Sequence, residues 1–548
     1  MRRDLESLGE VGHDLIVVGA GIHGACAARD AALRGLKVAL IERGDLGQAT
    51  SANSLKVLHG GFRYLQSLDI GRLRLSARET AAWLFIAPHL TAPLPCLLPL
   101  RGGLTENPLA MGTALKLYDL LKPQMAGALP PGRLLKSGEL ARWAPAELTQ
   151  GASAGALWHD GLALDSERLT LAMAQSAAGR GAAVANHLEA VDLETAGGRV
   201  VGVRARDLLG GRELLVRGRA VLATAGPWTG ALCGEPARSP EMALAYNLVV
   251  ERRLGCAAVA VRSRSGPEQD PVCGGGRFMF MVPWRGRTLL GTSYHPWAGG
   301  PDQARPRAGD LLALLDEFNQ ACPGLGLRPA EVSFFHWGLL PLARPGQAPA
   351  GGGLASRPLL ADHGAAGGPA GLFSLRPVKF TTARALAERA VDLTARYLGQ
   401  GAVPCRTALE PVWGAEPSAS GAEGDIESIP PGAKEELASH YGHRAAEVWA
   451  LAREDAELAR PLDQGCPVLG CQVAFAVRRE MALTLADVAL RRTMLGKAGP
   501  PSPWALERAA AIMGRELGWD EARRLQEVAR TREAYRLIEE IRGRGTAA

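Results

Sequence analysis

The stretch DLIVVGAGIHGACAARDAALRGLKVALIE, residues 14–42, decides how this chain folds. Four apolar residues, Leu15 to Val18, run into Gly19, as a buried strand does. Gly19, Gly21 and Gly24 then give G-x-G-x-x-G. The first glycine permits a tight turn, the second lets backbone approach a pyrophosphate, and the third lets a helix pack on the strand. Ala25, Ala27, Ala28, Ala31 and Ala32 keep that helix slim enough to lie close against a sheet. Its N-terminus offers free N–H groups and a favourable dipole to phosphate. Gly35 closes the helix and KVALIE supplies a second strand. Glu42 stands at the tip of that strand, where an acid accepts from ribose hydroxyls.

This unit alone does not separate a flavin dinucleotide from a nicotinamide one. RAVLATAGPWTG (219–230) helps, because it reads as a strand ending in a glycine turn at Ala225 and Gly226. A return strand after so long an insertion argues for a discontinuous, FAD-type domain, since nicotinamide domains usually run without interruption.

The rest of the chain sets the bounds. Its 548 residues suffice for two or three domains. A net charge of +6 is spread along the sequence without a basic face interleaved with aromatics, which excludes a nucleic-acid partner. The nine cysteines form no C-x-x-C, so no metal site is expected and reduced thiols are. The N-terminus lacks an apolar leader region, and the apolar run FIAPHLTAPLPCLLPL (85–100) is broken by four prolines, so a cytoplasmic chain is expected. The stretch GAEPSASGAEGD (414–425) reads as a linker or long loop, and 432–459 and 503–542 carry helical periodicity.

Several stretches together resemble the FAD-dependent glycerol-3-phosphate dehydrogenases and their oxidase relatives. They are residues 14–42, GDLGQATSANSLKVLHGGFRYL (44–65), LATAGPW (222–228), FMFMVPWRGRTLLGTS (278–293), VKFTTARALAERAVD (378–392) and EMALTLADVALRRT (480–493). The resemblance implies an α/β fold with three parts. A two-part Rossmann-like FAD domain of glutathione-reductase type would span 1–90, 150–240 and 340–398. A substrate or cap domain on an antiparallel sheet would span 91–149 and 241–339. A linker at 399–425 would lead to an α-helical C-terminal domain at 426–548.

The same resemblance implies hydride transfer from a secondary alcohol to flavin, with glycerol 3-phosphate the first substrate to consider. Electrons would pass to a membrane quinone or to oxygen, with peripheral membrane contact and a homodimer among the expectations. A related enzyme for another hydroxyl or amine, and an inactive flavin-binding partner protein, are the alternatives.

Thr50, Ser51, Asn53 and Ser54 are expected to hydrogen-bond the cofactor, with Lys56 and His59 beside them. Gly60 and Gly61 would admit the flavin ring without Cβ interference. Arg63 and Tyr64 would face substrate. Lys379, with Thr381 and Thr382 after it, would stabilise charge on the flavin's pyrimidine end. Arg357 would lie near substrate.

Five positions depart from the family pattern. Leu340 in GLLPL (338–342) replaces a phosphate-associated arginine, Asn247 a histidine, Tyr294 an aspartate, and Pro377 with Val378 a glycine pair. Arg344 or Arg376 could restore the missing charge; otherwise the pocket takes a different substrate. His59, His295, His336 and Lys379 all stand open as the general base.

Overall fold

The computed structural model describes residues 1–102, 106–122, 129–235, 242–343, 353–416, 429 and 431–544. Two sheets organise them. The first is built on β1 (His13–Val18), β2 (Val38–Ile41), β7 (Ala183–Ala185), β10 (Glu213–Ala223) and β17 (Leu372–Arg376). Its order is β17-β10-β1-β2-β7, all parallel, with β16 (Leu359–Asp362) antiparallel at one edge. β8 (Leu188–Ala196) and β9 (Arg199–Asp207) extend from β10 as an antiparallel meander. Parallel strands covered on both faces must be apolar throughout, and Leu15–Val18 and Val38–Ile41 are fully or nearly fully buried. Helix Ile22–Leu33 packs on this sheet through its alanines.

The return strand behaves as its sequence implies: β10 lies parallel to β1, Val18 facing Ala223, which brings Thr224–Gly226 over the glycine turn.

The second sheet holds nine strands in the order β15-β11-β14-β13-β12-β4-β6-β3, with β5 on β6. Its members are β3 (Val57–Leu58), β4 (Thr91–Leu100), β5 (Arg133–Lys136), β6 (Ala154–Ala163), β11 (Met242–Val250), β12 (Ala258–Arg262), β13 (Phe278–Trp284), β14 (Arg287–Trp297) and β15 (Val332–Pro341). It is antiparallel except where β12 meets β4. Two boundaries expected from sequence shift here. Residues 154–163, placed with the nucleotide domain, pair along their whole length with β4, and Val57–Leu58 join β6. The mostly buried β6 suits a strand of either sheet, so only its partner settles the matter.

The C-terminal part is helical, with Pro431–Tyr441, Ala445–Glu454, Gly470–Glu480, Pro503–Leu517 and Glu521–Glu533 around their own apolar core, while Arg536–Arg544 buries Ile538 and Ile541 in the core of the second sheet. Residues 417–425 of the expected linker lie outside the described residues. Buried ion pairs tie this part to the first sheet. Asp45 accepts from Arg491 at 2.6 Å and from Arg492 at 2.6 and 2.7 Å, and Arg168 donates to both oxygens of Glu480 at 2.8 Å.

Candidate active site

A cavity of about 1600 Å³ runs between the two sheets. Sites for one small ligand span roughly 300–1,000 Å³, so this volume has room for a dinucleotide and a second molecule. At one end lies the glycine cradle. Gly19 has φ of 100°, and a Cβ there would lie 2.7 Å from Ala225 Cα. A Cβ on Gly24 would lie 1.8 Å from Gly19 O, so the turn closes only with hydrogen in both places. Gly21 precedes the helix, whose Ile22 N–H donates to Ser51 Oγ at 2.9 Å. Glu42 accepts from Ala20 N at 2.7 Å and Gly44 N at 2.9 Å. Desolvation pushes its carboxyl upward while those two N–H bonds oppose the shift. Lone pairs not used by the backbone are left for ribose hydroxyls. Gly19, Gly21, Glu42, Ala225 and Gly226 all line the cavity, and this cradle fits the FAD dinucleotide.

The loop after β2 forms the next stretch of wall. Thr50, Ser51 and Ser54 line the cavity, and Thr50 fills the notch at Gly338, donating to Leu339 O at 3.4 Å. Lys56 does not reach the cofactor side. Its Nζ is buried and donates to Glu167 at 2.8 and 2.9 Å, Ser166 Oγ at 3.0 Å and Ala52 O at 3.0 Å. Gly60 and Gly61 likewise stand off the cavity wall. A Cβ on Gly60 would lie 2.2 Å from the Tyr118 hydroxyl, and one on Gly61 would meet Ser76 and Tyr64 at 3.1 Å. Protein fills those spaces, so these glycines serve packing.

His59 does line the cavity. Its backbone N–H donates to Thr381 Oγ1 at 3.1 Å, and its Nδ1 lies 3.2 Å from Asp160 Oδ2. Asp160, buried on β6, also accepts from Gly60 N at 3.0 Å. A carboxylate at Nδ1 fixes the proton there and leaves Nε2 as an acceptor, on a side chain 45 % exposed. Nothing in the sequence singles out Asp160. It stands 101 residues from His59, and only the β3–β6 pairing joins them.

Lys379 lines the cavity, donates to Ser76 Oγ at 2.9 Å and lies 4.6 Å from the centre of the Tyr64 ring. The Arg72 guanidinium sits 4.8 Å from the same ring. Tyr64 therefore acts on the site by holding Lys379, a cation–π contact, and is not itself on the cavity wall. Arg63 is exposed on the short helix Phe62–Leu65 and also stands off the wall, on the side of Tyr294, whose phenol feels its charge. Arg357 lines the cavity. Arg376 does too, but its guanidinium is paired with Glu235 and its charge is spent. Arg344 lies outside the described residues.

The opposite wall comes from β11, β14 and β15. Asn247 is 3 % exposed and accepts from Thr292 Oγ1 at 2.7 Å, so its amide oxygen is committed and its N–H groups are free to donate. Gly291 leaves space for it: a Cβ there would lie 2.0 Å from Asn247 Oδ1. Tyr294 and Leu340 stand to either side. Of the other open bases, His295 Nε2 contacts the Tyr246 hydroxyl at 2.5 Å and is engaged. His336 is buried with both ring nitrogens unpaired, and desolvation, then Lys56, pushes it well below the ordinary histidine range. A cluster of Asp45, His187 and Asp487 has the spacing of a metal site, but Arg491 and Arg492 already occupy its two carboxylates.

A parallel sheet with a glycine cradle, a ribose acid and a second sheet closing over the cavity define a flavin-dependent oxidoreductase. The family described as FAD dependent oxidoreductase matches residues 14–398, and the C-terminal domain of alpha-glycerophosphate oxidase matches 405–524. Glycerol-3-phosphate dehydrogenase of Synechocystis is 31% identical over 90% of both chains, and glycerol-3-phosphate dehydrogenase 2 of Mycobacterium bovis 31% identical over 95% of this chain and 88% of that one. The solved glycerol-3-phosphate dehydrogenase of Bacillus halodurans, complexed with FAD, superposes with a TM-score of 0.72 at 25% identity, covering 97% of this chain and 96% of that one. The chain belongs to the FAD-dependent glycerol-3-phosphate dehydrogenase family.

Proposed function

We propose that this protein oxidises the C2 hydroxyl of sn-glycerol 3-phosphate to the ketone of dihydroxyacetone phosphate, using FAD. The observation that carries the reading is the His59–Asp160 pair, which opens onto the cavity between the dinucleotide cradle and Lys379 with Arg357. FAD, when bound, supplies the acceptor for the two electrons that leave C2 with its hydrogen. His59 Nε2 takes the hydroxyl proton, and Asp160 stabilises the imidazolium that results. Asn247 cannot act as a base; its N–H groups donate to the reacting oxygen. Lys379 and Arg357 supply positive charge for the flavin's reduced end and for phosphate.

The reading extends to a quinone as electron acceptor. No helix of the described residues is long and apolar enough to cross a membrane. Helix Pro108–Leu121 does expose Leu109 and Leu120, 82 % and 80 % accessible, which supports peripheral contact with lipid.

Anaerobic mixing of the FAD-loaded protein with sn-glycerol 3-phosphate tests the reaction. Bleaching of the flavin band is expected, and the absence of bleaching would refute it.

A further inference from the structure

β11 contributes Met242, Ala245 and Asn247 to the cavity, and Asn247 is the polar one of the three. The sheet is irregular where it stands. Tyr246 faces Ser293 and Leu248 faces Leu290, so Asn247 lies opposite two residues of β14, Gly291 and Thr292. One extra residue on one strand is a bulge, and bulges beside active sites re-aim side chains.

Both residues of the bulge act on Asn247. Gly291 leaves open the space that the amide fills, since a Cβ there would lie 2.0 Å from Asn247 Oδ1. Thr292 Oγ1 donates to the same Oδ1 at 2.7 Å. An asparagine side chain has one accepting end and one donating end. With the oxygen held by Thr292, the donating end is turned away from it. On the β15 side Asn247 faces His336, whose two ring nitrogens have no partner, so the amide N–H groups are not spent there. They are left for a ligand in the cavity, which Asn247 and Thr292 both line.

Thr292 is itself anchored. Arg277 Nε donates to its carbonyl at 3.0 Å, and the same guanidinium donates to Asp270 Oδ2 and Glu317 Oε2, each at 2.7 Å. Asp270 is buried, and Glu317 comes from the helix Ala308–Ala321. A hydroxyl on a loose loop would follow the amide. On a backbone pinned this way, it dictates where the amide points.

We infer that Thr292 is a positioning residue: it fixes the Asn247 amide so that an N–H faces the oxygen on C2 throughout the reaction. As the hydroxyl proton passes to His59, negative charge gathers on that oxygen until the C2–H bond breaks toward the flavin and the carbonyl forms. A donor already in place stabilises this charge without rearranging. An amide free to turn presents its own oxygen part of the time and repels the charge. The inference rests on the oxidation proposed above.

The test is anaerobic stopped-flow reduction of the FAD-loaded protein by sn-glycerol 3-phosphate. Thr292→Val keeps the shape and removes the hydroxyl. Its limiting rate is expected to fall by about tenfold, less than the roughly 10²–10³ lost when such a donor is removed outright. Half-saturation should stay within about twofold, as for an interaction made in the transition state, with FAD content and melting temperature unchanged. Thr292→Ser should keep the unmodified rate. In Asn247→Ala, which lacks the amide, adding Thr292→Val should cost nothing further. A full rate in Thr292→Val, a rate in Thr292→Ser as low as in Thr292→Val, or an undiminished cost in the Asn247→Ala background overturns the inference. Each would mean that Thr292 does not act through the amide. Should Thr292→Val fail to hold FAD, Gly291→Ala decides, because it displaces the amide and keeps the hydroxyl: slowed reduction upholds the inference and full-rate reduction overturns it. No bleaching in the unmodified protein overturns the oxidation as well.

Discussion

The two walls of the cavity were built by different rules. The loop wall, from Ser51 to His59 with Lys379, is dense in polar contacts whose partners lie far along the chain: His59 with Asp160 and Thr381, Lys379 with Ser76 and Tyr64. The sheet wall is set by strand register, and apart from Asn247, His336 and Trp337 its side chains are small, apolar or single hydroxyls. The first wall holds its reacting groups through hydrogen bonds from distant parts of the chain, whereas the second contributes shape and the one amide of Asn247, itself held by Thr292. Proton transfer is therefore fixed on one side and substrate choice is free to drift on the other.

Breaking the loop wall should have the largest effect. His59→Ala is expected to slow flavin reduction by about 10²–10⁴, the usual range for a lost general base, with FAD retention unchanged because its backbone bond to Thr381 survives. Stopped-flow reduction beside flavin absorbance after gel filtration checks both parts. Equal loss of cofactor and rate would make His59 structural.

Lys56→Met leaves Glu167 buried without its partner. The expected loss is about 3–5 kcal/mol of stability, read by denaturant unfolding, with FAD affinity of the folded fraction unaltered. Weakened FAD binding in a stable variant would return Lys56 to the cofactor.

Acid should loosen the cradle in a defined window. Burial lowers His23 from its ordinary 6.5 to about 4. Its folded form resists protonation that the unfolded chain accepts, so stability is complete above pH 6.5 and falls as pH drops toward 4. The full step amounts to about 3 kcal/mol, and His23→Gln should flatten the slope of unfolding free energy across that window.

Gly60→Ala forces a Cβ against the Tyr118 hydroxyl. A loss of about 1–3 kcal/mol is expected, relieved in part by adding Tyr118→Phe, since that hydroxyl has no partner. A thermal-melt double-mutant cycle shows the coupling. No relief would mean that the glycine answers to the cofactor.

What the sequence made legible follows from locality. Residues 14–42 carry strand, turn, helix and acid in one continuous pattern, and the return strand at 219–226 repeats the signal, so the cofactor fold could be read directly. The C-terminal helices were equally plain from their periodicity. Asp160 was hidden because an acid inside a short strand resembles any solvent-facing residue until β6 is paired with β3. Lys56 and Gly60 misled for a related reason. A lysine and a glycine beside a nucleotide motif suggest cofactor contact, yet Glu167 and Tyr118, brought in from elsewhere, had the prior claim. Arg376 lost its expected role to Glu235 in the same way. Residue type near a motif is readable, whereas the partner that uses it depends on the fold.

The central claim is that the His59–Asp160 pair takes the proton while hydrogen leaves C2 for the flavin. Its most direct test is anaerobic flavin reduction by sn-glycerol 3-phosphate carrying deuterium at C2, in the unmodified protein and in Asp160→Asn. The account predicts slower bleaching with deuterium, and in Asp160→Asn a further fall in rate with FAD still bound. Bleaching at full rate in Asp160→Asn, or none in the unmodified protein, would contradict it.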